Sequence, residues 1–314
     1  MKYVLGIDSG GTKYLVRAAD LTGAPLGVYE GPAANHYMQP LDEVERLIGE
    51  SIDRCLAQFG GKRADCAYML SGSTGVDSEE DQQLLTRLYE GLAGFACPVY
   101  CVNDAELAHY TATGGSGLLL IAGTGSIAFG RNGAGVTRRV GGWPMSVMGD
   151  EGSGRYVDAW AMREYTRYLD GVRGRTPLMA HIEQATGVRT AKEMMDYAMA
   201  MFGPPWPTPR LGAAVDEAAR GGDVHAQAVL ERAAACNFDL LDELARALGY
   251  TGDDAFVIGL WGSTIVKGQF QQAALRDMLG KAYPKADVVI AKTDAAQGAV
   301  QWALERCAAA QRGE

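Results

Sequence analysis

Several things are scarce in this 314-residue chain, and each scarcity removes a class of function. Its longest wholly apolar run, near position 120, is far too short to cross a bilayer, so no membrane association is expected. Basic charge is outnumbered, with 29 Lys and Arg against 38 Asp and Glu and a net charge of −9; a non-specific nucleic-acid binder needs the opposite balance. Only four histidines occur, with no H-E-x-x-H cluster to hold a catalytic zinc. No G-x-S-x-G elbow marks a serine hydrolase. Of the six cysteines, only Cys97 and Cys101 lie close together, in "CPVYC". A lone C-x3-C is a poor metal signature, and plain reduced thiols are expected. Between Met1 and Asp8 there is no signal-peptide core, which leads us to expect a cytoplasmic protein.

What is present is glycine in unusual places. "GIDSGGTKYLVRAAD" (6–20) is a glycine-rich loop after an apolar run, as in a phosphate cradle. It is not a P-loop: Gly6 and Gly11 have the spacing, but Thr12 precedes Lys13 and the order is reversed. A P-loop also opens a helix, whereas Tyr14, Leu15, Val16, Arg17 and Ala18 read as a second strand. The stretch is therefore a hairpin whose tip could offer backbone N–H groups to an anion, or an ordinary hairpin with a glycine turn. "LLLIAGTGSIAFG" (118–130) repeats the pattern around Gly123-Thr124-Gly125-Ser126. Two such hairpins, one per domain, could pinch a polyphosphate without a helix dipole.

Length favours two domains, and 47% hydrophobic with 21% charged residues is ordinary for a globular chain. Strand signals at 3–7, 14–18 and 26–30 precede a helix on which Leu41, Val44, Leu47, Ile48, Ile52, Leu56 and Phe59 fall at helical spacing. A strand at 66–70, a helix at 79–93, a strand at 98–102 and a helix at 105–112 follow. This β-meander and then alternation predicts an α/β layer fold with a mixed sheet. Gly-Gly-Ser-Gly after Thr113 and the second hairpin place a boundary near Gly114. Beyond it, helices are expected at 155–169, 211–220, 224–248 and 295–311. Strands are expected at 255–263, running into a turn, and at 286–291. "GPPWPTPR" (203–210) should be a loop.

Four places could carry chemistry. Asp8, at the end of the first strand, could hold a magnesium ion or initiate a turn. Asp104 ends "YCVND" and leads into a helix, so it is either an N-cap or a general base at the carboxyl end of a strand. "GGWPMSVMGDEGSG" (141–154) sets an aromatic ring and a carboxylate among glycines. That pairing suits a polyol, with the acid accepting hydroxyl hydrogen bonds and the ring covering an apolar sugar face; a capping Asp and a packed Trp would look the same. Asn35, in "NHYM", could bond a substrate or merely form a turn.

In this order, the motifs resemble the BadF-type ATPase family, in its N-acetylglucosamine kinase-like branch of the actin-like and hexokinase-like superfamily. "GIDSGGTK" resembles the first phosphate motif and "LIAGTGS" the second. "ND" before a helix resembles the catalytic segment, "GGWPMSVMGDEGSG" the long Gly-Gly-Trp…Gly-Asp-Glu-Gly-Ser signature, "VIGLWGS" the adenosine motif and "DAAQGAVQWAL" the terminal helix. The match covers nearly the whole chain.

The resemblance implies a two-domain, actin-like (ribonuclease H-like) ATPase fold, each domain a mixed sheet with helices, with the active site in the interdomain cleft. Residues 1–114 with the terminal helix 295–314 would form one domain and 115–294 the other. It implies ATP-dependent phosphorylation of the 6-hydroxyl of an amino sugar, N-acetylglucosamine first among them, with Mg²⁺ and as a homodimer. Carried over, Asp104 would be the base and Asp8 would help hold Mg²⁺. Gly10, Gly11, Thr12, Lys13, Gly123, Thr124 and Gly125 would line the phosphates, with Gly262 and Ser263 near the adenine. Asn35, Ser71, Asp104, Thr124, Gly142, Trp143 and Asp150 would lie at the sugar.

Lys13-Tyr14, Ile127 and Pro144 depart from the family pattern. Ile127 stands where some members carry an Asn that touches the sugar, which keeps glucosamine in play. Two rivals remain: an ATPase that activates a dehydratase through a shared iron–sulfur cluster, for which no cysteine motif is seen, and a sugar-sensing regulator, for which no helix-turn-helix precedes the first motif.

Overall fold

The computed structural model describes residues 1–143, 149–200 and 210–312. The chain forms two compact units, Met1–Gly115 with Ala291–Glu314, and Ser116–Ile290. Residues 203–209 of the expected 203–210 loop, and Pro144, lie outside the described residues.

The first unit begins with β1 (Tyr3–Ser9), β2 (Lys13–Asp20) and β3 (Pro25–Pro32). These are followed by α1 (Leu41–Ala57), β4 (Cys66–Ser73), α2 (Glu79–Gly91), β5 (Val99–Asn103) and α3 (Asp104–Thr113). Its sheet runs β3-β2-β1-β4-β5, antiparallel on the β2–β3 side and parallel from β1 to β5. Central β1 carries the near-continuous apolar run of a strand covered on both faces, and Tyr3, Val4, Leu5 and Ile7 are fully buried. Helix α1 turns Val44, Leu47, Ile48, Ile52 and Leu56 into the core, as their spacing requires. Phe59, expected on that helix, lies past its end but still packs on the same core.

The second unit contains β6 (Gly117–Ala122), β7 (Ser126–Arg131), β8 (Thr137–Gly141), α4 (Gly154–Leu169), α5 (Pro177–Thr186), α6 (Ala191–Ala200), α7 (Gly212–Arg220) and α8 (Val224–Leu248). It ends with β9 (Val257–Trp261), α9 (Ser263–Lys267), α10 (Gln269–Ala282) and β10 (Asp287–Ile290). Its sheet order, β10-β9-β6-β7-β8, repeats the topology of the first. Leu118 and Leu120 of β6 are fully buried, while edge strand β8 is largely exposed and bears Arg138 and Arg139. A further helical core gathers Tyr165, Leu178, Ile182, Leu211, Val215 and Leu230. Helices α5, α6 and α10 were not expected from the sequence, and Ser263 opens a short helix where a plain turn was expected.

The final helix, α11 (Ala295–Arg312), belongs to the first unit and lies on β1 and β4. It can do so because Gly6 has no side chain: a Cβ there would strike the backbone of Ala296 and Val300. Arg17 clamps Asp294, just before the helix, with Nη2–Oδ2 at 2.6 Å and Nε–Oδ1 at 3.0 Å. Asp294 also accepts the Gln297 N–H at 2.9 Å, so one carboxylate docks and caps the helix.

Gly6→Ala should therefore destabilise the protein by about 1–3 kcal/mol, since rigid backbone must move rather than a flexible side chain. Gly280→Ala, in α10 with nothing near the new methyl, should be neutral or stabilising. Thermal melts of the two variants check this; equal melting temperatures would refute the packing argument.

Candidate active site

In the first unit the site grows from strand ends. The ladders place Ser9 opposite Ser73 and Ser73 opposite Asn103, so three parallel strands finish level. Asp8 is the next-to-last residue of β1, while Thr74 and Asp104 are the first residues beyond β4 and β5. The carboxyl end of a parallel sheet, where backbone N–H groups and helix starts gather, is where open α/β folds bind ligands.

Both oxygens of the Asp104 carboxylate are held. Oδ1 accepts the Ala105 N–H at 2.8 Å and Oδ2 accepts the Thr74 hydroxyl at 2.6 Å. The N-cap of α3 is Asn103, whose side chain accepts the same Ala105 N–H at 2.8 Å and donates to Val76 O at 3.0 Å. The capping duty that could have explained Asp104 thus falls to its neighbour. Asp8 is half-buried. Burial pushes its pKa up to about 6, the nearby Asp104 charge adds to the rise, and Lys13 opposes it.

The β1–β2 tip is Gly10-Gly11-Thr12, closed by Gly10 N–H to Lys13 O at 2.9 Å, with Gly11 and Thr12 exposed. Lys13, expected at the phosphates, is engaged with Glu30 on β3, Nζ–Oε2 2.8 Å. The Asn35 side chain closes a local turn by accepting the Tyr37 N–H at 2.9 Å. Ser71, expected at the sugar, is instead fully buried. Its hydroxyl lies 3.0 Å from both Ser73 and Tyr89, and Tyr89 in turn meets Tyr14. Positions 71 and 73 share one face of β4, and that face is core. Thr74 escapes this because the strand has ended.

In the second unit the β6–β7 tip, Gly123-Thr124-Gly125, is closed by Gly123 N–H to Gly125 O at 2.9 Å, with Thr124 exposed. It is braced from behind: Gly123 O accepts Gly154 N–H and the Thr264 hydroxyl, both at 2.8 Å. Asp150 packs against the tip. Its Oδ1 accepts Ser126 N–H at 3.1 Å, and a Cβ on Gly125 would run into that oxygen. Asp150 is buried and adopts φ 64°, an unusual conformation for a residue other than glycine, and Arg155 Nη1 stands 3.7 Å from its Oδ2.

Gly142 turns with φ 74° over Ile127, leaving no room for a side chain, and Trp143 beyond it is 58% exposed with Arg139 over its ring. Gly262, φ 95°, follows the end of β9 and lies against Ala122 and Gly123, which sets Ser263 at the start of α9. A cavity of about 540 Å³ opens beside the tip, lined among others by Thr124, Arg155, Arg210, Ser263 and Lys267. The sequence reading missed Thr74, Arg155 and this basic lining. All six cysteines are free thiols, and among the described residues no group of three or more His, Cys, Asp or Glu side chains is arranged for a metal.

Two duplicated mixed sheets, each opening with a glycine-tipped hairpin, define an α/β protein of the two-domain, actin-like ATPase class. The chain belongs to the BadF/BadG/BcrA/BcrD ATPase family, which it matches over residues 5–303. It is 30% identical over 98% of its length to the whole of the N-acetylmuramic acid/N-acetylglucosamine kinase of Clostridium acetobutylicum. It is 27% identical to the N-acetyl-D-glucosamine kinase of Dictyostelium discoideum, covering 96% of this chain and 97% of that one. A Chromobacterium violaceum structure provisionally described as an N-acetylglucosamine kinase superposes with a TM-score of 0.71 at 27% identity, covering 96% of this chain and 98% of the other. Among the described residues no helix is long and apolar enough to cross a membrane.

The Asp8 environment has a signed consequence for stability. Its folded pKa, about 6, lies above the ordinary 3.8, so its contribution is fully present below about 3.8 and is lost as pH rises through 6. In chelator-containing buffer, Asp8→Asn should raise the melting temperature at pH 7.5, and the gain should vanish near pH 4. A difference independent of pH would show that Asp8 is not desolvated as described.

Proposed function

We propose that the protein is an ATP-dependent kinase that phosphorylates the 6-hydroxyl of an amino sugar, with N-acetylglucosamine the first candidate. The observation that carries this reading is Asp104. Its carboxylate is fixed at a strand's carboxyl end with its capping duty taken by Asn103, in a chain whose full-length relatives are named as amino-sugar kinases.

In the proposed reaction the sugar's 6-oxygen attacks the γ-phosphorus of ATP in line. The O6–P bond forms, the bond to the β,γ-bridging oxygen breaks, and the hydroxyl proton passes to Asp104. Little covalent chemistry is asked of the protein; its task is positioning and charge stabilisation. We assign N–H groups at the Gly10–Thr12 and Gly123–Gly125 tips to the phosphates. The cavity beside Thr124, Gly262 and Ser263 would take the rest of the nucleotide. Asn35, Gly142, Trp143 and Asp150 are assigned to the sugar; Ser71, being buried, supports the sheet from behind instead.

Asp8 fits a cation. It is a half-buried carboxylate held near a second one, and a positive ion would relieve both its desolvation and that repulsion. Magnesium bound there, usually through water, would neutralise charge on the β- and γ-phosphate oxygens. The Clostridium relative's name includes N-acetylmuramic acid, which favours an N-acetylated 2-amino sugar over free glucosamine.

A coupled ADP-release assay over N-acetylglucosamine, N-acetylmuramic acid, glucosamine, N-acetylmannosamine and glucose should give its highest kcat/KM on an N-acetylated amino sugar. A preference for glucose, or no sugar-dependent turnover, would overturn the reading. Asp104→Asn should lower kcat by roughly 10²- to 10⁴-fold while sugar and nucleotide binding by calorimetry hold.

Asp150→Asn tests the sugar contact without dismantling the hairpin. Asn tolerates the positive φ and can still accept Ser126 N–H, but it loses the charge. Sugar affinity should fall about tenfold or more, as expected when a charged hydrogen bond is lost, with nucleotide affinity unchanged. Loss of nucleotide affinity alone would make Asp150 a brace.

A further inference from the structure

We infer that Thr74 is the positioning residue for the base: its hydroxyl, donating to Asp104 Oδ2 at 2.6 Å, sets the direction in which that carboxylate presents its open lone pairs. This rests on the assignment of Asp104 as the base.

The carboxylate needs such a tether. The terminal torsion of an Asp side chain is broad, so a carboxylate fixed at one oxygen alone can still turn. Among the described residues, Oδ1 accepts the N–H of the next residue, Ala105, on its own backbone. Thr74 supplies a second point of attachment from a different strand. Each carboxylate oxygen accepts about two hydrogen bonds, so one donor apiece fixes the plane and leaves room for a substrate hydroxyl.

Among the described residues, the Thr74 side chain has no other hydrogen-bonding task. Its loop is tied by the backbone, through Thr74 N–H to Ser9 O at 2.8 Å and through Asn103 Nδ2 to Val76 O at 3.0 Å. Both ties survive a change of side chain. Among the described residues, the hydroxyl's recorded partner is Asp104. Level strand ends bring the two together: Ser73 and Asn103 are register partners, so the next residue on each chain meets the other.

A misaimed base loses rate without losing ligand, because proton transfer depends on geometry more steeply than binding does. Thr74→Val keeps the shape and removes the donor. It should lower kcat about 10- to 100-fold, with KM for both substrates and the melting temperature near wild type. Thr74→Ser should restore most of the rate. Should the valine variant fold poorly, Thr74→Ala makes the same test without the extra methyl.

The discriminating measurement is the pair with Asp104→Asn. If Thr74 acts through Asp104, Thr74→Val should slow the Asp104→Asn enzyme no further. An equal loss in both backgrounds, or a Thr74→Val enzyme with wild-type kcat beside an inactive Asp104→Asn, would overturn the role of Thr74 alone. An Asp104→Asn enzyme with wild-type kcat would remove the base assignment, and Thr74's role with it.

Discussion

Strand register is the constraint on which the candidate site residues of the first unit depend. Parallel ladders tie β1, β4 and β5 so that Ser9, Ser73 and Asn103 end level. Asp8, Thr74 and Asp104, far apart in sequence, then become neighbours without any loop being folded specially for the purpose. A one-residue slip of β4 would exchange its faces, carrying Ser71 and Ser73 off the face on which Tyr89 meets Ser71. The Tyr14–Tyr89–Ser71–Ser73 hydrogen bonds beneath the sheet hold the chain against that slip.

The same register gathers like charge. Asp8 is partly desolvated and lies near the Asp104 charge, and Lys13 offsets this only in part because its ammonium is also paired with Glu30. Like charges only partly offset in this way are unfavourable by themselves and would favour a bound cation. The Arg17–Asp294 clamp meanwhile keeps a third carboxylate occupied as helix cap and dock.

The second unit repeats the sheet topology but secures its hairpin differently. There Asp150, in a conformation usual for glycine, fills the space a side chain on Gly125 would need, and α4 and α9 tie the carbonyl of Gly123. Glycine at 125 and a carboxylate at 150 are two sides of one packing requirement. That is why the Gly-Asp-Glu-Gly-Ser run and the Gly-Thr-Gly tip occur in the same chain.

Much of this was legible in the sequence because it is local. The apolar run of β1, the helical spacing of α1 and the glycine tips followed by strands rest on periodicity and turn chemistry within a few residues. Helices α5 and α10 escaped notice for opposite reasons. The start and stop of α5, Pro177 and Gly187, are ordinary signals that lie among polar residues. Helix α10 buries Gln271, whose amide bonds Gly152 O and Asn237, beside Leu275 and Leu279, so its inner face is only partly apolar.

The sequence by itself determined most of the strands, though not β8, where the chain turns on glycine, and that carboxylates stand at strand ends. Only the tertiary structure decided which polar side chain of "SGSTG" is buried and which is free to meet Asp104. It also decided that Asn103 rather than Asp104 caps α3, and that Lys13 answers Glu30. Those outcomes depend on neighbours brought by register and packing from distant parts of the chain, and no local pattern encodes them.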